Sequence, residues 1–346
     1  MDPTMSKTPP HLDDRVEPIT VRTGSFWVPG EQISTPYGTL PRGPLYVEWM
    51  SPVEVTRPYP LLLVHGGGGQ GTDWLTTPDG RQGWAYDLVR AGYAVYVVDR
   101  PGHGRSPHHP DVLGDVAPPL PLEFASFLFA PPEAAGTQTQ WPWDRTLDGE
   151  EFQQLTSAMG FFMADFAEAQ RLDGERLAAL LDRIGPAVLI THSAGSPGGW
   201  LAANRRPELV KGIVAVEPMG PPYAEFPGLG EITYGLTYAE LATEPAIESP
   251  EQLKADPSQY RIPGLSGTPV GVVTGSASGS AAQSPPLVEF LRAVGADAAL
   301  LALADAGIVG NGHGLILEAN SSDTVKPVIA WLERLETDLS STGVSL

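Results

Sequence analysis

The chain has no cysteine among its 346 residues. Disulfides, thiolate metal sites and a cysteine nucleophile are excluded together. The compartment is left open by that absence, because a cysteine-free chain folds in either redox environment. No run of 18 apolar residues occurs, so no membrane-spanning helix is expected. Basic residues are few: 21 Lys and Arg stand against 41 Asp and Glu, a formal net charge of −20. An acidic surface repels phosphate backbones and anionic lipid, which leaves nucleic acid and membranes outside the expected partners. Met1 to Asp14 is polar and proline-rich, without the basic start and apolar core of a secretory leader. A cytoplasmic location is therefore expected, with a leader removed before numbering the one route to secretion. There is no H-E-x-x-H, and His108-His109 is a weak pair in a Pro-rich loop, so no metal is expected.

What is present is ordinary globular composition, 42% hydrophobic and 18% charged, in a chain long enough for one large α/β domain with insertions. Short apolar runs alternate with helical patterns. Leu61–Val64, Tyr93–Val98, Ala187–Ile190, Ile213–Val216, Val270–Val273 and Ala298–Leu303 read as strands. Unbroken apolar runs of this kind suit a parallel sheet covered on both faces. Helices are expected at Trp84–Ala91, Gly174–Ile184, Gly198–Asn204, Pro286–Val294 and Ser322–Leu335. The alternation predicts a doubly wound sheet. Ile19–Val28 and Leu45–Met50 are expected as antiparallel strands at one edge, and Thr337–Leu346 as a frayed tail.

Two segments break the rhythm. Ser106–Leu172 is long, Pro-rich and aromatic, and Met219–Gly264 is a second excursion with a short helix expected near Tyr238–Ala242. Aromatics argue against disorder, so both are read as cap elements over the carboxyl edge of the sheet. The expected division is core 15–105, lid 106–172, core with the nucleophile turn 173–218, second cap 219–264 and core 265–336.

The chemistry centres on Ala187-Val-Leu-Ile-Thr-His-Ser-Ala-Gly195. Strand, sharp turn with Ser193 at its apex, then helix is the order that exposes a strained serine hydroxyl. The pattern G-x-S-x-G wants glycine first, and this chain has Thr191 there. His65-Gly66-Gly67-Gly68-Gly69 follows the first buried strand, with no lysine nearby and no P-loop pattern. The N–H of Gly67, or of its neighbour Gly68, is expected to face a developing oxyanion, with Ala194 N–H as the second donor. Of the seven histidines, His313 in Gly310-Asn-Gly-His-Gly314 lies after the last strand, at the same sheet edge as Ser193. Position and elimination make it the base. The acid is expected at Glu217, which ends the strand Ile213–Val216; a buried glutamate there requires a partner such as an imidazole N–H. The loop after Val273, where such an acid more often sits, has no carboxylate, and its Ser276 and Ser278 are expected to be silent for the chemistry. Asp305 and Glu318 are the reserve acids. Trp74, His192, Gly66 and Gly68 are expected around the substrate.

These motifs resemble the α/β-hydrolase superfamily over roughly Val53 to Leu335, in the order nucleophile Ser193, acid Glu217, base His313. Asp99-Arg-Pro-Gly-His-Gly-Arg-Ser106 is similar to that family's turn after strand four. Glu217 together with Thr77-Pro-Asp-Gly-Arg81 resembles a bacterial esterase branch with its acid after strand six. The resemblance implies an α/β-hydrolase fold with cap insertions, and cofactor-free hydrolysis of an ester, lactone or thioester of a small, largely apolar substrate. Alternative readings are a catalytically weak binding protein on the same scaffold, or a serine-dependent C–C hydrolase or acyltransferase. A homodimer through the lid or an exposed sheet edge is compatible with either.

Overall fold

Eight strands form one sheet in the computed structural model, which describes residues 17–226 and 228–341. They are β1 (Val21–Val28), β2 (Leu45–Pro52), β3 (Leu61–Val64), β4 (Val95–Asp99), β5 (Ala187–His192), β6 (Val210–Val216), β7 (Pro269–Thr274) and β8 (Asp297–Ala302). Their spatial order is β1-β2-β4-β3-β5-β6-β7-β8. β1 pairs antiparallel with β2, and β2 antiparallel with β4. Every other pairing is parallel, with Val64 beside Thr191, His192 beside Val216 and Val216 beside Val273. The ends of β3, β5 and β6 therefore emerge together, which is what brings distant segments to one edge. A separate hairpin pairs Glu31–Thr35 with Gly38–Arg42.

Side-chain alternation along buried strands divides the core into two layers. Leu62 and Val64 pack with α5 (Phe166–Ile184), α6 (Ser196–Arg205) and α8 (Ser284–Ala293), to which α1 to α4 and α7 are added below. Leu61 and Leu63 face the opposite layer, with α1 (Trp84–Arg90) and α9 (Ser321–Ser341). Trp141, Trp143 and Phe152 are buried in that second layer, so much of the first excursion is built into the core. The excursion carries α2 (Pro110–Leu113), α3 (Leu122–Phe129) and α4 (Glu150–Ser157). Phe124, Phe127 and Phe161 remain exposed on it.

Three expectations are corrected. The helix placed at Gly174–Ile184 begins eight residues earlier, at Phe166, capped by Asp165, whose side chain accepts from Glu168 N–H. No helix forms at Tyr238–Ala242. The N–H groups of Tyr238 and Ala239 are taken by Gln170 Oε1, at 2.7 and 3.3 Å, so that backbone has no need of helical partners. The helix of the second excursion is α7 (Pro250–Ala255) instead. The tail does not fray from Thr337: α9 continues to Ser341. Met1–Asp14, His11 and residues 342–346 lie outside the described residues.

Candidate active site

Ser193 stands at the turn between β5 and α6 with φ +48°, a left-handed conformation that a non-glycine residue adopts at a cost of order 1–3 kcal/mol. Gly195 permits the turn, because a Cβ there would collide with the His65 carbonyl. Thr191, in place of the expected glycine, is fully buried. Its methyl fills the space beside Gly199 of α6, where an added Cβ would stand 2.7 Å from Thr191 Cγ2. Its Oγ1 lies 3.0 Å from Ser196 Oγ, so the hydroxyl is satisfied as well. Gly199 on the facing helix is what makes room for the Thr191 side chain.

His313 Nε2 lies 3.0 Å from Ser193 Oγ, and His313 Nδ1 lies 3.3 Å from Glu217 Oε2. Glu217 is fully buried and also has positive φ, +47°. Its Oε1 accepts from Gly275 N–H at 2.7 Å and Thr274 Oγ1–H at 3.2 Å, and its Oε2 from the Ser278 hydroxyl. Met219 N–H donates to the Ser193 carbonyl at 3.2 Å, tying the acid's loop to the nucleophile's turn. Ser276 and Ser278, expected to be silent for the chemistry, both have partners in this network. Ser278 donates to the acid, and Ser276 Oγ accepts from Gly310 N–H at 2.9 Å, at the start of the His313 loop. The carboxylate-free loop after β7 supplies donors to Glu217 at the end of β6. The sequence carried that signal as its run of small hydroxyl residues.

The glycine loop closes over the same turn. An added Cβ on Gly66 would sit 3.2 Å from Ser193 Cβ, and one on Gly67 3.2 Å from Ala194 Cβ and 3.0 Å from Phe162 Cε1. Gly68, at φ +65°, faces Met159 and Phe162 at ordinary contact distance. Phe129 of α3 lies against His313, ring centres 5.6 Å apart. Phe129 and Phe162, both in 106–172, thus stand as aromatic rings beside His313 and the glycine loop.

Two expected pocket residues are placed elsewhere. Trp74 is fully buried in the core with its ring against Trp84, 5.9 Å between centres; its size and apolarity suit the layer under α1 rather than a substrate wall. His192 is buried too, and its Nε2 lies 3.1 Å from the His313 carbonyl oxygen. Burial, reinforced by the charge of His313, lowers its pKa to about 3, so the ring is neutral and Nε2–H is the donor. It is a strut under the base.

Of the reserve acids, Asp305 is exposed in the turn after β8. Glu318 is fully buried and accepts from Gln138 Nε2 at 2.7 Å, Asn311 Nδ2 at 2.7 Å and Gly312 N at 2.8 Å. Burial raises its pKa to about 6 despite these donors. Arg81 of the Thr77–Arg81 turn pairs with Asp79 at 2.7 Å and donates to the Glu318 carbonyl at 2.9 Å. Gln138, Asn311 and Arg81, none of them singled out as site residues in the sequence, thereby brace the loop that carries His313. Among the described residues, no group of three or more His, Asp or Glu is arranged to hold a metal, and no helix is long and apolar enough to cross a membrane.

The α/β hydrolase fold pattern matches residues 59–255. The chain is 34% identical over 313 residues to a probable secreted lipase, phiG, of a fungal species (strain ATCC 74256), covering 84% of this chain and 86% of that one. It superposes with a TM-score of 0.69 on a solved bacterial esterase described as novel, at 23% identity, covering 92% of this chain and 98% of that one. The chain belongs to the α/β-hydrolase family, and within it to the carboxylic ester hydrolases. The fungal relative, named as secreted, overturns the cytoplasmic expectation, which rested on the polar character of Met1–Asp14 alone.

Proposed function

We propose that this ester hydrolase acts on small, largely apolar esters, lactones or thioesters through an acyl-enzyme on Ser193. The observation that carries the reading is the series Ser193 Oγ, His313 Nε2, His313 Nδ1, Glu217 Oε2, with gaps of 3.0 and 3.3 Å. His313 Nε2 takes the hydroxyl proton as Ser193 Oγ bonds to the carbonyl carbon. Glu217 holds Nδ1–H, which fixes the tautomer and stabilises the imidazolium. Gly67 and Ala194 N–H groups receive the oxyanion, and Gly66 and Gly68 leave room for the substrate beside them. The imidazolium returns its proton to the leaving alkoxide or thiolate. Water, deprotonated by His313, then attacks the acyl carbon and releases the acid with Ser193 restored. Phe129 and Phe162 favour an apolar acyl or alcohol group. In this reading 106–172 and 219–264 are the cap segments, and 15–105, 173–218 and 265–336 the core.

Ser193→Ala tests it. Loss of a serine nucleophile typically costs about a millionfold in kcat. Hydrolysis of short p-nitrophenyl esters should vanish, together with labelling by a fluorophosphonate, while the circular dichroism stays unchanged. A folded variant keeping several per cent of parental turnover would remove Ser193 from the reaction. Labelling of the parent without turnover would favour acyl transfer instead.

A further inference from the structure

Beneath the glycine loop and the Ser193 turn lies a buried ion pair that the triad does not use. Arg100 Nη1 is 2.8 Å from Asp173 Oδ2, with side chains 5% and 2% exposed. Arg100 follows the strand β4, and Asp173 sits on α5 where that helix crosses α6 closely, an added Cβ on Gly198 falling 2.9 Å from Asp173 Cβ. Removing two charges from water is costly, and an apolar pair of similar volume is often no worse for stability. Arg100 also leaves its buried Nε without a partner. Such a group calls for a reason other than packing.

Its remaining bonds supply one. Arg100 Nη2 donates to the Gly66 carbonyl at 2.9 Å, and Nη1 reaches to 3.5 Å from the Ala194 carbonyl. The backbone N–H of Arg100 donates to His65 Nε2 at 3.0 Å. That bond leaves the proton of the neutral His65 ring on Nδ1, which lies 2.9 Å from the same Gly66 carbonyl. Two donors therefore fix one oxygen. In a planar trans peptide the C=O and the following N–H point in opposite directions. Holding the Gly66 oxygen toward Arg100 turns the Gly67 N–H to the opposite side.

We propose that Arg100, anchored by Asp173, is a positioning residue for the oxyanion hole: it sets the Gly66–Gly67 peptide so that the Gly67 N–H faces the developing oxyanion. The inference rests on the assignment of Gly67 as an oxyanion donor. A pre-aimed donor acts on the transition state and leaves ground-state binding almost untouched.

The test is the double variant Arg100→Met with Asp173→Asn, which removes both charges at nearly constant volume. It is compared with the parent in kcat, in KM for a p-nitrophenyl ester, and in affinity for an alkyl boronic acid, which forms a tetrahedral adduct on the serine. The expected result is a folded protein whose kcat and boronate affinity each fall about ten- to a hundredfold, with KM within about threefold. Arg100→Lys should restore only part of kcat, since one ammonium does not span Asp173 and the Gly66 carbonyl as a guanidinium fork does. A folded double variant with parental kcat and boronate affinity overturns the proposal. Should that variant fail to fold, Arg100→Lys, which keeps a charge opposite Asp173, is read by the same three measurements, and parental kcat and boronate affinity there overturn the proposal. Fluorophosphonate titration of the parent keeps the two readings apart. A parent that is not labelled refutes the nucleophile, whereas a labelled parent with an indifferent Arg100 variant refutes only the clamp.

Discussion

Ser278 donates its hydroxyl to Oε2 of Glu217, the same oxygen that faces His313 Nδ1. Glu217 follows the end of β6, and the loop after β7 wraps its carboxylate with the Gly275 N–H and the Thr274 hydroxyl on the other oxygen. A carboxylate so surrounded is oriented as well as solvated. Ser278→Ala should therefore lower kcat by about three- to tenfold with little change in KM, a hydrogen bond to a charged group being worth about 1.5–3 kcal/mol in stability and less in rate. Steady-state kinetics on one ester settles it, and an unchanged kcat would show that Gly275 and Thr274 suffice.

Glu217→Gln separates this arrangement from one with the acid after β7. The amide keeps the shape but offers a donor where His313 Nδ1–H needs an acceptor. A comparable acid-to-amide change in a serine triad costs about ten-thousandfold in kcat. Here a loss of at least about a hundredfold is expected in kcat at neutral pH, with fluorophosphonate labelling slowed in parallel. Near-normal turnover would place the acid elsewhere.

Thr191 and Gly199 should behave as a pair. Gly199→Ala forces a methyl against Thr191 Cγ2 inside the packed turn, and overpacking of this kind typically costs about 1–3 kcal/mol. Thr191→Gly in the same chain removes the obstructing methyl and should return much of that loss, although it also opens the hydrogen bond to Ser196. Urea denaturation of the parent, both single variants and the double variant gives the coupling directly. Purely additive effects would count against the steric exchange.

His192 gives a pH dependence of definite sign. Its folded pKa of about 3 lies below the ordinary value of 6.5, so the unfolded chain binds a proton that the folded chain does not. Its contribution to stability is whole above about pH 6.5 and is lost as pH falls toward the folded value, by about 1.4 kcal/mol per pH unit. His192→Gln can keep a donor toward the His313 carbonyl and has nothing to titrate. The stability advantage of the parent over this variant should shrink on going from pH 7.5 to 5. An advantage constant with pH would show that His192 is protonated in the fold.

The sequence was most legible where one residue type does one job. Unbroken apolar runs marked six parallel strands within a few residues of their ends, and elimination among seven histidines led to His313, which lies 3.0 Å from Ser193 Oγ. Legibility failed where a residue works through a neighbour distant in the chain. The helix expected from Gly174 has that glycine at its start, and glycine weakens a helix interior. In the fold it lies mid-helix, where even a Cβ would crowd Leu201 across the α5–α6 contact. The Asp165 cap with Glu168 three residues on was the local signal for the true start. Trp74 looked like a pocket wall because it follows the glycine loop, yet its ring turns inward to Trp84. Tertiary partners, absent from any single window of sequence, decided both.

The loop bearing His313 is stitched to the lid at several points. Gln138 shares Glu318 with Asn311 and Gly312, Gln140 N–H donates to the Gly310 carbonyl at 3.1 Å, and Ala319 N–H donates to the Gln140 carbonyl at 2.9 Å. Residues 138–141 and the base therefore form one mechanical unit. This stretch stands as a jamb beside His313: displacing it would pull on the loop that carries the imidazole. Phe129, at the end of α3, belongs to the same unit, its carbonyl accepting from Gln138 Nε2 at 2.7 Å, so a change anywhere in 129–140 is felt at the imidazole.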